Sequence, residues 1–306
     1  MRVLIVASHN KGFFSPFIEE QTEALRNNGC EVLMFGVEGK GLIGYLKNLP
    51  ALKRMIKELQ PEIIHAHYGM CGLLASLQRI VPVVVTYHGS DINDRRVLRF
   101  SKLSMCLSAG SIFVSQKMID TAKPKNRYAL LPCGINLSNL QQTERYEAKR
   151  RMCLEKGKRY ILFAGAFDNK VKDAELAKQV VSLLVDKNAE LLELKGYNRK
   201  EVDLLMSAVD ALLMTSHTEG SPQVIKEALA CGLPIVSVDV GDVRERVNGI
   251  NGCFVSQTRK PEELAGLLEK ALNFVGKTDG RNKIVLDGLE NCQVAEKLME
   301  IYKEIC

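Results

Sequence analysis

Two carboxylates, Glu219 and Glu227, flank an expected helix start in the stretch TEGSPQVIKEALACGLPIV, Thr218 to Val236, with seven residues between them. Glu219 lies on a Gly-containing turn. Ser221 and Pro222 then read as the opening of a helix, because a serine can cap unsatisfied backbone N–H groups and proline suits the first helical position. Val224, Ile225, Ala228 and Leu229 recur at helical spacing, and Gly232 with Pro234 closes the segment. The apolar run Pro234 to Val238 that follows predicts a buried parallel strand. The N–H groups and dipole at a helix start suit an anion. Glu219, the amides of Ser221, Gln223 and Val224, and Glu227 on the second turn could therefore hold a diphosphate between two sets of sugar hydroxyls. That is the outline of a nucleotide-sugar site.

Composition bounds what can carry such a site. A chain of 306 residues fits two domains, and 46% hydrophobic content is ample for two cores. With 6% aromatic residues and no tryptophan, an aromatic carbohydrate-binding platform is disfavoured. The apolar run from Arg2 to Ala7 is too short for a signal-peptide core, and no apolar segment reaches bilayer-spanning length. Nine cysteines are scattered with no Cys-x-x-Cys, which points to reduced thiols in a cytoplasmic protein and away from a disulfide framework or a zinc site.

Charge is uneven. Residues 1–140 carry 17 Lys and Arg against 10 Asp and Glu, whereas residues 141–306 carry 25 against 26. The basic first half is expected to meet something anionic. No nucleic-acid recognition motif with stacked aromatics accompanies it, so nucleic acid is not an expected partner. An anionic membrane surface or a phosphate-bearing acceptor is, which would place the protein in the cytoplasm against the inner face of the cell membrane. The stretch Gly41 to Gln60 sets Leu46, Leu49, Leu52, Met55, Ile56 and Leu59 on one side and Lys47, Lys53, Arg54 and Lys57 on the other. Such a basic amphipathic helix can lie on a membrane, although most simply pack on their own sheet, and Pro50 interrupts this one.

The elements that must position these residues alternate as strand and helix. Arg2 to Ser8 reads as a buried strand, the loop His9 to Pro16 follows, and a helix over Phe17 to Asn28 leads to a strand at Cys30 to Phe35. This βαβ opening suits a doubly wound parallel sheet. It is not a dinucleotide fingerprint, since only Gly12 is present where Gly-x-Gly-x-x-Gly is needed. Glu62 to His67 is a further strand whose His65 and His67 point the same way. They could form a metal pair, but no third ligand stands at a recognisable spacing, so they read as sheet-end histidines. Val81 to Tyr87 is the clearest central strand, and it delivers His88 and Asp91 to its carboxyl end, where open α/β sheets bind ligands. Short strands at Ser111 to Val114 and Leu130 to Cys133 complete a first domain, residues 1–140. Residues 141–158 read as a linker with a helical piece. A second domain, 159–290, opens with the strand Tyr160 to Ala164 and includes strands at Leu191 to Gly196 and Ala211 to Thr215. Helices are expected over Ala174 to Leu184, Pro261 to Leu272 and Val294 to Ile305.

With those residues placed, the pair Glu219 and Glu227 followed by EALACGLPIV resembles the signature of glycosyltransferase family 4. The resemblance implies the GT-B fold: α/β, with two Rossmann-like doubly wound domains facing across a cleft and a final helix, 291–306, crossing back to the first domain. It implies transfer of a sugar, with retention of anomeric configuration, from a nucleotide diphosphate sugar to an acceptor hydroxyl. UDP-sugars rank ahead of GDP-sugars as the expected donor. The expected acceptor is a sugar or a lipid-linked species in bacterial cell-envelope polysaccharide or glycolipid synthesis. Carried over residue by residue, His88 contacts the transferred sugar, Glu219 holds sugar hydroxyls, Glu227 holds the ribose and Lys172 grips the diphosphate. Gly12, in a loop that is glycine-rich in the family, faces the donor phosphates. Leu194 to Tyr197 lies near the base, with Tyr197 as a candidate to stack on it. The segment Leu130 to Asn136 is similar to the family's PNGVD turn.

The chain departs from the family pattern in two places. In the loop Gly165 to Asp173 the family carries an arginine just after the glycine, and here Ala166 stands in its place. Lys170 could partly substitute, though a lysine is a point charge and not a bidentate fork. The second domain is also shorter by about one βα unit than the pattern implies. There is no Asp-x-Asp, so metal-bridged phosphate binding is disfavoured, and neither a cofactor nor a metal is expected. Three alternatives follow: a weakened transferase that only binds nucleotide sugars, a nucleotide-sugar epimerase, or a phosphorylase of the same fold.

Overall fold

The computed structural model describes every residue except Gln141. The chain divides into two compact units, residues 1–134 with 289–306, and residues 135–288. The first unit is built on a parallel sheet of β1 (Arg2–Ser8), β2 (Glu31–Val37), β3 (Ile63–His67), β4 (Val83–Tyr87), β5 (Gly110–Phe113) and β6 (Tyr128–Leu130). Its order is β2-β1-β3-β4-β5-β6. The second carries β7 (Tyr160–Phe163), β8 (Glu190–Glu193), β9 (Ala211–Met214), β10 (Ile235–Ser237) and β11 (Cys253–Val255), also parallel, in the order β11-β10-β9-β7-β8.

The alternation of side chains along a strand explains why each sheet is apolar on both faces. In β1, Leu4 and Val6 join one core with Ile64, Ala66, Val83, Val85 and Tyr87. Val3, Ile5 and Ala7 face the other way, into a second core that holds Ile63, Val84 and Ile112. That second core is closed by the helix Pro16–Asn27 and the last helix, Asn291–Ile305, whose Val294, Ala295, Leu298 and Tyr302 are buried in it. The last helix is therefore an integral part of the first unit.

Several expectations are corrected. The amphipathic stretch 41–60 is two helices, Gly41–Leu46 and Leu49–Leu59, because Pro50 lacks an N–H and is tolerated only in a first turn. Leu52 and Ile56 are fully buried in the core, with Leu49 and Met55 packed against them, so that apolar stripe covers the chain's own sheet. The strand expected at Leu130 to Cys133 lies earlier, at Tyr128–Leu130, and that expected at Leu191 to Gly196 lies at Glu190–Glu193. The second unit begins at Ile135 and the first resumes at Leu289, so the boundary expected after residue 140 moves by a few positions.

The expected linker is also folded into the second unit. Its helix, Arg145–Arg151, is tied to the turn before β9, since Lys149 Nζ and Arg145 each reach Asp210, at 3.2 and 3.1 Å. Gln142 donates to the Ala230 carbonyl. Among the described residues no helix is long and apolar enough to cross a membrane.

Candidate functional site

Strand order locates the candidate site of the second unit. From β7 the chain steps outward to β8, then returns to the other side of β7 at β9. The carboxyl ends of β7 and β9 therefore bound a topological switch point, the usual ligand crevice of open α/β sheets. The loop after β7 carries Gly165, Ala166, Lys170 and Lys172, and the loop after β9 carries Glu219 and Ser221. Sequence-distant residues are brought together here: Lys172 Nζ lies 2.6 Å from Glu219 Oε1. A charge-assisted hydrogen bond of this length is among the stronger polar contacts a protein makes.

The backbone fixes that pair from several sides. Thr215 Oγ1 donates to the carbonyls of Lys172 and Asp173, and the His217 N–H donates to the Val171 carbonyl. Arg259 reaches Asp173 at 2.6 Å and also donates to the carbonyls of Thr215 and Ser216. Two glycines are required by close approach. A Cβ on Gly165 would lie 2.7 Å from Lys172 Cγ, and one on Gly241 would lie 2.4 Å from the Gly220 carbonyl oxygen. The lysine stem and the Glu219–Gly220 turn thus each lie over a bare backbone position.

The helix Gln223–Cys231 leaves this turn, with Pro222 extended as its N-cap and Gly232 left-handed at its end. Ser221 does not cap it, as the sequence suggested. Its hydroxyl donates instead to Asp242 Oδ2 at 2.8 Å. The helix amides at Gln223 and Val224 follow directly on the Glu219 turn, where first-turn N–H groups have no intrahelical acceptor. Glu227, on the next turn, is ion-paired with Arg199. Lys226 is fully buried, with Nζ 2.7 Å from Gln223 Oε1. Burial pushes the Asp242 carboxyl above its ordinary range, an effect opposed by Lys226, Arg246 and the Ser221 hydroxyl. Tyr197, about one-third exposed, lies between β8 and the helix Arg199–Ala208, and Lys170 is exposed.

Arg199, Lys226 and Asp242 are ionisable groups here that were not among the expected site residues. The signal for Lys226 was a cation beside the helix's apolar positions. Arg199 had no signal, because its partner lies 28 residues away.

The first unit carries a separate constellation at the carboxyl ends of β1, β3 and β4. Gly12 is exposed in the loop after β1. His65 bridges the Tyr302 hydroxyl at 2.6 Å and Thr86 Oγ1 at 2.7 Å. The ring of His67 stacks between those of His65 and His88, with centroids 4.5 and 5.2 Å away. His67 Nδ1 lies 3.0 Å from His88 Nε2. Burial drives His65 well below the usual histidine range and His67 down to about 3, so both are neutral. Asp91 lies beneath this cluster and accepts the backbone N–H groups of Gly69, His88 and Gly89. Burial raises its carboxyl to about 6 despite those bonds. Among the described residues no group of three or more metal-ligating side chains is assembled.

Solved structures share this architecture across the whole chain. Sucrose-phosphate synthase from Thermosynechococcus elongatus superposes with a TM-score of 0.82 at 15% identity, covering 100% of this chain and 99% of that one. Anabaena HepE, solved in complex with UDP and glucose, gives 0.77 at 14% identity, covering 99% and 100%. Two doubly wound units of this kind give the chain the GT-B architecture. Residues 14–139 match the family model described as glycosyltransferase family 4, and residues 159–273 match that of glycosyl transferases group 1. The chain belongs to glycosyltransferase family 4. It is also similar to the putative teichuronic acid biosynthesis glycosyltransferase TuaC of Bacillus subtilis, at 29% identity over 216 residues. That match covers 61% of this chain and 55% of the relative's length.

Proposed function

We propose that this protein transfers a hexose from a nucleotide diphosphate sugar, UDP-linked ahead of GDP-linked, to an acceptor hydroxyl with retention and without a metal. The observation that carries the reading is the Lys172–Glu219 pair at the β7/β9 switch point, immediately before the helix Gln223–Cys231. In the reaction the bond from the anomeric carbon to the phosphate oxygen breaks, and the nucleoside diphosphate leaves with the electron pair. The acceptor oxygen forms the new bond, and its proton passes to an oxygen of the departing diphosphate. Charge accumulates on the leaving group, so fixed N–H donors and a cation aimed there lower the barrier, a term that is often the largest in catalysis.

In this scheme Lys172 and the amides of Ser221, Gln223 and Val224 meet the phosphates, with Gly165, Pro222 and Lys170 shaping their surroundings. Glu219 holds sugar hydroxyls, Glu227 the ribose and Tyr197 the base, while Gly12 and His88 are carried over as donor contacts by resemblance to the family. The similarity to a teichuronic acid enzyme supports an acceptor in cell-envelope polysaccharide or glycolipid synthesis. The basic charge of residues 1–140 supports attraction to an anionic membrane carrying it.

The test is nucleotide release and sugar transfer by the purified protein across UDP-, GDP- and ADP-sugars, with and without EDTA. Turnover with one nucleotide class that survives EDTA is expected. Activity lost in EDTA would overturn the metal-free step. Ala166, in place of the expected arginine, favours one second reading, a protein that binds donors without turning them over. Thermal protection by a donor with no release would establish it.

A further inference from the structure

We propose that His67 is a positioning residue for His88: its Nδ1–H donates to His88 Nε2 and holds the His88 ring as the Nδ1–H tautomer. The inference rests on the reading of His88 as a contact to the transferred sugar. His67 is completely buried, at 0% exposure, and it ends β3 beside β4, the strand that delivers His88. The two ring nitrogens stand 3.0 Å apart, which requires one proton between them.

Only two neutral arrangements satisfy that distance. In one, His67 carries its proton on Nδ1 and donates, leaving a bare lone pair on its Nε2. In the other, His88 Nε2–H donates and His67 must carry its own proton on Nε2. That Nε2 is buried and has no hydrogen-bond partner among the described residues. An orphaned buried N–H is the rarer defect, and an acceptor left unfilled is more readily tolerated. The arrangement in which His67 donates is therefore favoured, and the pKa of His67, driven down by burial, keeps that ring neutral through the working pH range.

Further contacts hold the main chain and the ring plane of His88, and the His67 bond sets its tautomer. Asp91 accepts the His88 and Gly89 amides at 3.0 and 2.9 Å and fixes the main chain. The rings of Phe17 and Tyr68, centred 4.9 and 4.5 Å away, pack against the His88 imidazole. Its Nδ1 faces Cys133 Sγ at 3.6 Å, and sulfur is a weak acceptor. A sugar hydroxyl oxygen is a better acceptor for the same N–H. In this state His88 offers a hydrogen-bond donor and cannot act as a base through Nε2, whose lone pair is engaged by His67.

The test joins ring 15N NMR of histidine-labelled, ligand-free protein with kinetics of two variants. His67→Leu keeps the volume and removes the donor, whereas His67→Asn keeps an N–H close to the Nδ1 position. Wild-type His88 is expected to be protonated on Nδ1, and His67→Leu to lose that preference. His67→Leu should lower kcat about tenfold with the donor KM within about twofold, and His67→Asn should restore most of kcat. A wild-type His88 protonated on Nε2 would overturn the proposal, as would equal kcat losses in the two variants. If His88→Ala transfers sugar at the wild-type rate, the functional reading fails instead, and the tautomer still decides the His67–His88 bond.

Discussion

Lys172 Nζ and Glu219 Oε1 are 2.6 Å apart, so the cation proposed for the diphosphate and the carboxylate proposed for the sugar are one ion pair. Their side chains are only 21% and 15% exposed, which limits the solvent screening that weakens surface pairs. Removing either partner leaves the other charge partly desolvated as well as deleting a substrate contact. Lys172→Ala and Glu219→Ala should each cut transfer at least about tenfold, or ~1.4 kcal/mol of transition-state binding. Steady-state kinetics with the preferred donor would show it. Unchanged kcat/KM in both variants would remove the pair from the site.

Gly165 tests the same pair without touching its charges. The nearest atoms to a methyl group there are Cγ, Cδ and Cβ of Lys172, so the substitution presses first on the lysine stem. Gly165→Ala should raise the donor KM or lower kcat by about tenfold while leaving Tm within a few degrees, about the spread of mild substitutions. Wild-type kinetics in that variant would mean that Lys172 needs no fixed path.

The sequence made the scaffold legible because parallel strands buried on both faces read as apolar runs. Arg2–Ser8, Val83–Tyr87 and Tyr160–Phe163 coincide with the apolar runs nearly to the residue. The helix Pro261–Leu272 carries a clear apolar stripe and coincides with its expected bounds. Short edge strands such as β6 were shifted, since three residues carry little pattern. The candidate site was visible only where its residues are close in sequence, from Glu219 to Glu227. Pairings made across the fold, Arg199 with Glu227 or Ser221 with Asp242, depend on loops folded next to one another, which no local spacing encodes. Ser221 shows the cost most plainly: its type and position fit an N-cap, yet a buried carboxylate takes its hydroxyl.

Glu227 is held by Arg199, which orients the carboxylate without neutralising its acceptor capacity. If it binds the ribose, Glu227→Gln should weaken UDP or GDP binding by about tenfold, roughly 1.4 kcal/mol, in calorimetry. The sugar alone should be bound no differently. Equal nucleotide affinity in the variant would release Glu227 from that role.

Asp91 gives a pH signature. Burial raises its native carboxyl from 3.8 to about 6, so the folded state holds this proton more tightly than the unfolded chain. The native state then binds more protons between about pH 4 and 6, and the Asp91 contribution to stability falls as pH rises through that window, by roughly 3 kcal/mol in all. Asp91→Asn lacks this titration. Urea unfolding of both proteins should show the wild type losing ground to the variant from about pH 4 to 6, with a constant difference above it. A difference that grows in favour of the wild type over that range would contradict the assignment.

The central claim is that a diphosphate binds at the start of the helix Gln223–Cys231 with Lys172 as its cation. A crystal structure of the protein with UDP or GDP tests it most directly. The account predicts phosphate oxygens within hydrogen-bond reach of Lys172 Nζ and of amides between Ser221 and Val224, with the ribose at Glu227. A nucleotide bound elsewhere in the chain, with that helix start untouched, would contradict it.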